Sequence, residues 1–182
     1  MSPMQQTPLW RDANRLLVYF ATMVCLALLP SASLAEQQCN PAVPRSTPTE
    51  RFVLHAQGTA TDRQTGLTWQ RCAVGQSLKA GRCLGEAATF SFDDALERFS
   101  DADQDGWRLP WIKELASIAE LGCWNPAINL EVFPDTASAG FWSASADASN
   151  SAGAWGLHFV NGYDDWNERG SALRVRLVRA GQ

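Results

Sequence analysis

Histidine and lysine are scarce in this chain. His55 and His158 are its only histidines, and only two of its fifteen basic residues, Lys79 and Lys113, are lysines. No Cys-x-x-Cys occurs and neither histidine stands near a cysteine, so the ligand spacing of a zinc site is missing. There is no Gly-x-Ser-x-Gly elbow to expose a nucleophilic serine, and Ser143, Ser145 and His158 read as strand residues rather than a triad. No apolar run reaches the roughly 20 residues that a bilayer-spanning helix takes. Positive charge is in deficit as well. The formal charge is −4, which excludes a general affinity for nucleic acid or acidic lipid. With 182 residues, 46% hydrophobic and 19% charged, the composition suits one globular domain with a tail. It excludes a coiled coil, a collagen-like rod and a polytopic membrane protein. The excess is in tryptophan, at eight copies.

The first 35 residues read as an export signal. A polar start bearing Arg11, Asp12 and Arg15 precedes LLVYFATMVCLALLP at 16–30. That stretch has the length of a signal core and is short for a membrane span. Ser33 and Ala35 put small residues at the −3 and −1 positions, which predicts cleavage after Ala35. Neither Cys25 nor Cys39 follows the Leu-small-small pattern of lipid attachment. The expected partition is a signal peptide over 1–35, a Pro-rich linker over 36–50 and a folded domain over 51–182. No stable membrane span is expected after cleavage, and the expected location is the periplasm or the cell exterior.

Four cysteines remain after the leader: Cys39, Cys72, Cys83 and Cys123. An even number in an exported chain reads as two disulfides, with three pairings open. The segment CAVGQSLKAGRC is a short Gly-containing excursion, so Cys72–Cys83 is the favoured bridge. Cys39–Cys123 then ties the N-terminal tail to the body.

Along the folded part, residues 51–56, 59–61 and 67–70 read as short strands. The turn between the last two is Asp62-Arg63-Gln64-Thr65-Gly66, where Asp62 accepts turn amides and Gly66 supplies positive φ. Ser91 reads as the N-cap of a helix over 92–100, with Asp93 and Asp94 in its positive first turn. A second helix is expected over 111–121, with Ile112, Leu115, Ala116 and Ala119 as its buried stripe and Gly122 as its C-cap. Strands are then expected over 141–145, 154–160, 163–167 and 173–178, with Asn161-Gly162 as a two-residue hairpin turn. Two mid-chain helices among short antiparallel strands give an α+β domain, with the chain ends meeting in one sheet.

Six blocks occur in a fixed order: TGLTWQRC (65–72), WRLPWIKEL (107–115), NPAINLEVFP (125–134), FWSAS (141–145), AWGLHFVNG (154–162) and VRLVR (175–179). Together they resemble the C-terminal domain family of the Legionella collagen-like protein, a bacterial exported module, over about Gly58 to Arg179. The Arg-Leu-Pro step into a helix also resembles the sulfatase-modifying-factor and C-type-lectin-like group. The resemblance implies a C-type-lectin-like fold. It also implies a binding role, since the family's best-known member binds sulfated glycans and acts in adhesion. The sulfatase-modifying relatives depend on cysteine chemistry. No matching pair exists here, where the last cysteine is Cys123, and no enzyme activity is expected. Trp69, Trp107, Trp142 and Trp155 read as core rings, and Arg108 as the partner of a carboxylate such as Glu114.

Asp101-x-Asp103-x-Asp105-Gly106 opens like a calcium loop. Its twelfth position is Ile112 rather than a bidentate Glu, so no tight calcium site and no cofactor are expected. Arg174, Arg176 and Arg179 form a C-terminal basic cluster, expected to pair with Asp164, Asp165 or Glu168 across the sheet. The richest exposed-looking segment is the hairpin. Asn161, Tyr163, Asp164, Asp165 and Trp166 mix flat apolar faces with amide and carboxylate groups, which suits a sugar. The two acids there oppose a sulfated polymer, so a neutral or amino sugar is the expected ligand. The expected role is an exported, non-enzymatic binding module for a glycan or cell-surface ligand. The alternative is a structural envelope module that contacts proteins only. Exposed aromatics favour the first, and burial of all seven tryptophans beyond the leader favours the second.

Overall fold

Apolar alternation over two to seven residues, punctuated by glycine and asparagine, builds short strands rather than long ones. The computed structural model describes residues 36–99 and 105–181. The predicted signal peptide over 1–35 lies outside the described residues. In chain order the strands are β1 (Gln38–Cys39), β2 (Phe52–His55), β3 (Thr59–Asp62), β4 (Leu67–Gln70), β5 (Ser77–Lys79), β6 (Arg82–Leu84), β7 (Thr89–Phe90), β8 (Cys123–Trp124), β9 (Gly140–Ala146), β10 (Gly153–His158), β11 (Tyr163–Glu168), β12 (Leu173–Arg174) and β13 (Val178–Ala180). Two helices, α1 (Phe92–Phe99) and α2 (Ile112–Ala116), lie between β7 and β8. The protein is α+β and mostly sheet.

One sheet has the order β13-β4-β3-β2, which brings the last strand beside the first hairpins. Asp62 closes the β3–β4 turn as expected. It accepts Gln64 N–H at 2.9 Å and Thr65 Oγ1–H at 2.8 Å, and Gly66 sits at φ +73°. The second sheet runs β11-β10-β9-β12-β7. Its two faces serve two cores. On β9 the neighbours Phe141 and Trp142 point to opposite sides and both are fully buried. Phe141 joins Trp69, Leu115, Ile128, Phe133, Leu157 and Phe159 toward α2 and the first sheet. Trp142 joins Phe92, Ala95, Leu109, Ala154 and Val175 under α1. Helix α1 starts where predicted, with Asp94 N–H donating to Ser91 Oγ at 3.2 Å.

Three expectations need correction. The second helix stops at Ala116, not near Leu121. Ser117 Oγ–H donates to Glu114 O at 2.6 Å, and the chain then turns so that Glu120 N–H meets Ala127 O at 3.1 Å. Gly122 therefore caps no helix, and Ala116 is exposed rather than part of the buried stripe. The strand expected over 173–178 is two strands in two sheets. β12 pairs with β7 and β9, whereas β13 pairs with β4. Arg176, between them, is buried and bridges the sheets. The hairpin loop has four residues, 159–162, because Phe159 is drawn into the core and its carbonyl accepts Ala127 N–H at 2.6 Å.

Both disulfides have the expected pairing, Cys72–Cys83 and Cys39–Cys123. The 36–50 segment is pinned along the body. β1 pairs antiparallel with β8. Ser46 and Thr47 N–H both donate to the buried Glu120 carboxylate at 3.0 Å. Trp69 and Trp142 are fully buried, as expected of core rings, while Trp107 and Trp155 are half-buried.

Candidate functional site

The β10–β11 hairpin starts from six continuous antiparallel pairs, with Trp155 opposite Trp166 and His158 opposite Tyr163. At its tip, His158 O accepts Gly162 N–H at 2.8 Å, and Asn161 Oδ1 accepts Tyr163 N–H at 3.2 Å. Gly162 needs its glycine twice over. Its φ is +81°, and a Cβ there would meet Ala127 Cβ at 3.2 Å. The tip thus rests on the 119–127 segment instead of projecting freely.

β11 is an edge strand, and its acids Asp164, Asp165 and Glu168 disfavour pairing with another strand. Strand alternation divides the predicted residues. Tyr163 and Asp165 share one face with Asn167, and Asp164 and Trp166 share the other with Glu168. Tyr163 is 66% exposed, Asp164, Asp165 and Asn161 are exposed, and Trp166 is half-buried. On the first face Asn167 Oδ1 meets His158 Nε2 at 3.3 Å, while its Nδ2–H donates to Asp165 O at 3.0 Å. On the second, the Trp166 indole lies over Gly153, where a Cβ would come within 1.9 Å of it. Asp147 also belongs here and was missed in the sequence. The Ser149 amide and hydroxyl hold its carboxyl below the usual range, and the Trp166 indole adds to the effect. The 147–152 turn joins β9 to β10, so only the pairing of those strands reveals its place beside β11.

Other side chains singled out in the sequence have structural partners. Ser143 Oγ–H donates to Trp155 O at 2.6 Å, and Ser145 Oγ accepts Ile112 N–H at 3.0 Å. Arg108 forks onto Glu114 at 2.7 and 2.8 Å, as expected. Burial alone would push Glu114 up, but Arg108 and the Trp111 amide hold it below its usual range. Asp101 and Asp103 of the calcium-like loop lie outside the described residues. Among the described residues, no group of three metal-ligating side chains occurs.

The C-terminal arginines do not pair with Asp164, Asp165 or Glu168. Arg176 is fully buried and donates to the Gln70 and Arg71 carbonyls and to Thr136 Oγ1, 2.7 Å away. Its guanidinium lies over the Phe133 ring at 4.9 Å, and burial pushes its pKa down to about 9, so it stays charged at neutral pH. Arg174 lines a cavity of about 420 Å³ together with Glu86 and Asp135. Arg179 lies over the Trp107 ring at 4.6 Å and faces a cleft of about 530 Å³ on the β2–β3–β4 side.

Comparison with known families gives one finding: the family model described as the Lcl C-terminal domain matches residues 58–179. No curated protein and no solved structure matches the chain. The C-type-lectin-like assignment therefore rests on the sequence resemblance alone.

Proposed function

The chain belongs to the Lcl C-terminal domain family, and from that premise we propose that it is an exported, non-enzymatic binding module for a glycan or other cell-surface ligand, acting in the periplasm or outside the cell. The family and the two disulfides fit an exported protein. No helix among the described residues is long and apolar enough to cross a membrane. The observation that carries the binding role is the exposure of aromatic side chains. Trp111 is 56% exposed, Trp124 40% and Tyr163 66%. β11 sets Tyr163 with Asp165 on one face and Trp166 with Asp164 on the other, with Asn161 at the hairpin tip, so that each face pairs an aromatic ring with a hydrogen-bonding group, the mixture that suits a sugar. Loops and edges on a rigid scaffold commonly carry recognition.

The test is titration of the full chain with N-acetylglucosamine oligosaccharides and with heparin. Wild type is expected to bind the amino-sugar oligomer, with affinity falling about tenfold in Trp166→Ala, as for an aromatic anchor. Asp165→Asn is expected to weaken it less. Undiminished affinity in Trp166→Ala removes this site, and strong, salt-sensitive heparin binding reverses the ligand assignment. A protein-only envelope role is favoured by one further observation. Val43, Leu121, Trp124 and Val160 are exposed apolar residues around the β1–β8 ribbon and the hairpin tip. That role predicts no glycan binding at all.

A further inference from the structure

We propose that the cleft beneath Arg179 is a second binding site, separate from β11, for a sugar acid: a ligand with one carboxylate and several hydroxyls. Six of the arginines among the described residues are matched. Arg51, Arg82, Arg108 and Arg169 pair with Asp62, Asp135, Glu114 and Asp93. Arg71 and Arg176 donate to backbone carbonyls. Arg179 has no carboxylate partner among the described residues. Its Nη1 makes one long contact, 3.4 Å to Asp105 O, and its Nε is buried without a hydrogen-bond partner. The guanidinium carbon lies 4.6 Å from the centre of the Trp107 ring, and both residues line the cleft.

The walls decide the ligand class. The 530 Å³ cleft and an adjoining cavity of about 250 Å³ share Gln57, Thr59 and Arg179. Gln70, Gln76 and Ser77 add further groups that both donate and accept, as sugar hydroxyls require. Among the described residues, neither wall contains a carboxylate. That is selective in a chain with nineteen acidic residues, since the three other cavities described each include two. A guanidinium fork matches a carboxylate in two parallel hydrogen bonds. A single fixed cation amid neutral amides suits one negative charge, whereas a sulfated polymer needs a row of cations.

The test follows the Trp107 indole N–H resonance of the full chain during titration with glucuronate, methyl glucoside, glucose 6-sulfate and acetate. Glucuronate is expected to shift it saturably. Methyl glucoside and acetate, each lacking half of the ligand, and the sulfate ester are expected to bind at least about tenfold more weakly. Arg179→Gln is expected to reduce glucuronate affinity by a similar factor. Gln57→Ala, which leaves the Arg179–Trp107 stack in place, is expected to weaken binding and preserve the other tryptophan resonances. Trp166→Ala is expected to leave glucuronate binding unchanged, which separates this site from β11. No saturable glucuronate shift in wild type, equal affinity in Arg179→Gln, or equal response to glucose 6-sulfate overturns the proposal.

Discussion

Glu120 carries a negative charge where water does not reach, and the chain spends several donors on it. Ser46, Thr47 and Gly122 offer backbone amides at 3.0–3.1 Å, and the Thr47 hydroxyl adds another hydrogen bond. Burial alone would raise its pKa, but these donors outweigh it and hold the carboxyl below its usual value. The folded state therefore binds this proton less readily than the unfolded chain. The stabilisation is complete above the ordinary value of about 4.5 and is lost as pH falls through the lowered folded value. Glu120→Gln puts an NH₂ against donors, and is expected to cost about 2 kcal/mol at pH 7. The difference from wild type should shrink below pH 4.5 in urea unfolding curves. A gap that persists undiminished to pH 2 contradicts this account of the residue. Nothing in the sequence marked Glu120, because its partners Ser46 and Thr47 lie more than seventy residues away in a segment that reads as a linker.

At the scale of elements, local patterns served where local chemistry decides. The Asp62 turn, the Ser91 cap and the Arg108–Glu114 pair all lie within a few residues and were legible. So was the β10–β11 pairing, although Phe159 lengthened its loop. The second helix and the last strand were not legible, because long-range partners override their periodicity. Ala127 captures the Glu120 amide, and two different sheets divide the 173–180 segment. The same limit applies to the candidate site. Its five residues were identifiable as a group, but their division between two faces and the arrival of Asp147 depend on strand register. Gly153 tests whether Trp166 position, and not merely its presence, matters. Gly153→Ala drives a methyl into the Trp166 indole, so the ring must move. The expected outcome is a stability loss of about 1–3 kcal/mol together with loss of amino-sugar binding comparable to Trp166→Ala. A displaced Trp166 indole resonance with unchanged binding contradicts a role for this ring.

On the scale of the whole molecule, the distribution of charge separates the surfaces. β11 exposes Asp164, Asp165 and Glu168, which oppose sulfated polymers, and among the described residues no acid lines the cleft beneath Arg179. The basic cluster seen in the sequence has no existence as a cluster in space. Arg174 shares a cavity with acids, Arg176 is buried between sheets, and Arg179 stands alone on Trp107. The cleft assembles residues from 56 to 179, and no spacing in the chain announces it. The central claim, that this is a sugar-binding module not built for sulfated polymers, is tested most directly by a glycan array probed with the full chain at low and at physiological salt. The account predicts retained signal on neutral and amino-sugar glycans at both salt concentrations. Signal confined to sulfated glycans and abolished by salt, or no signal on any glycan, contradicts it.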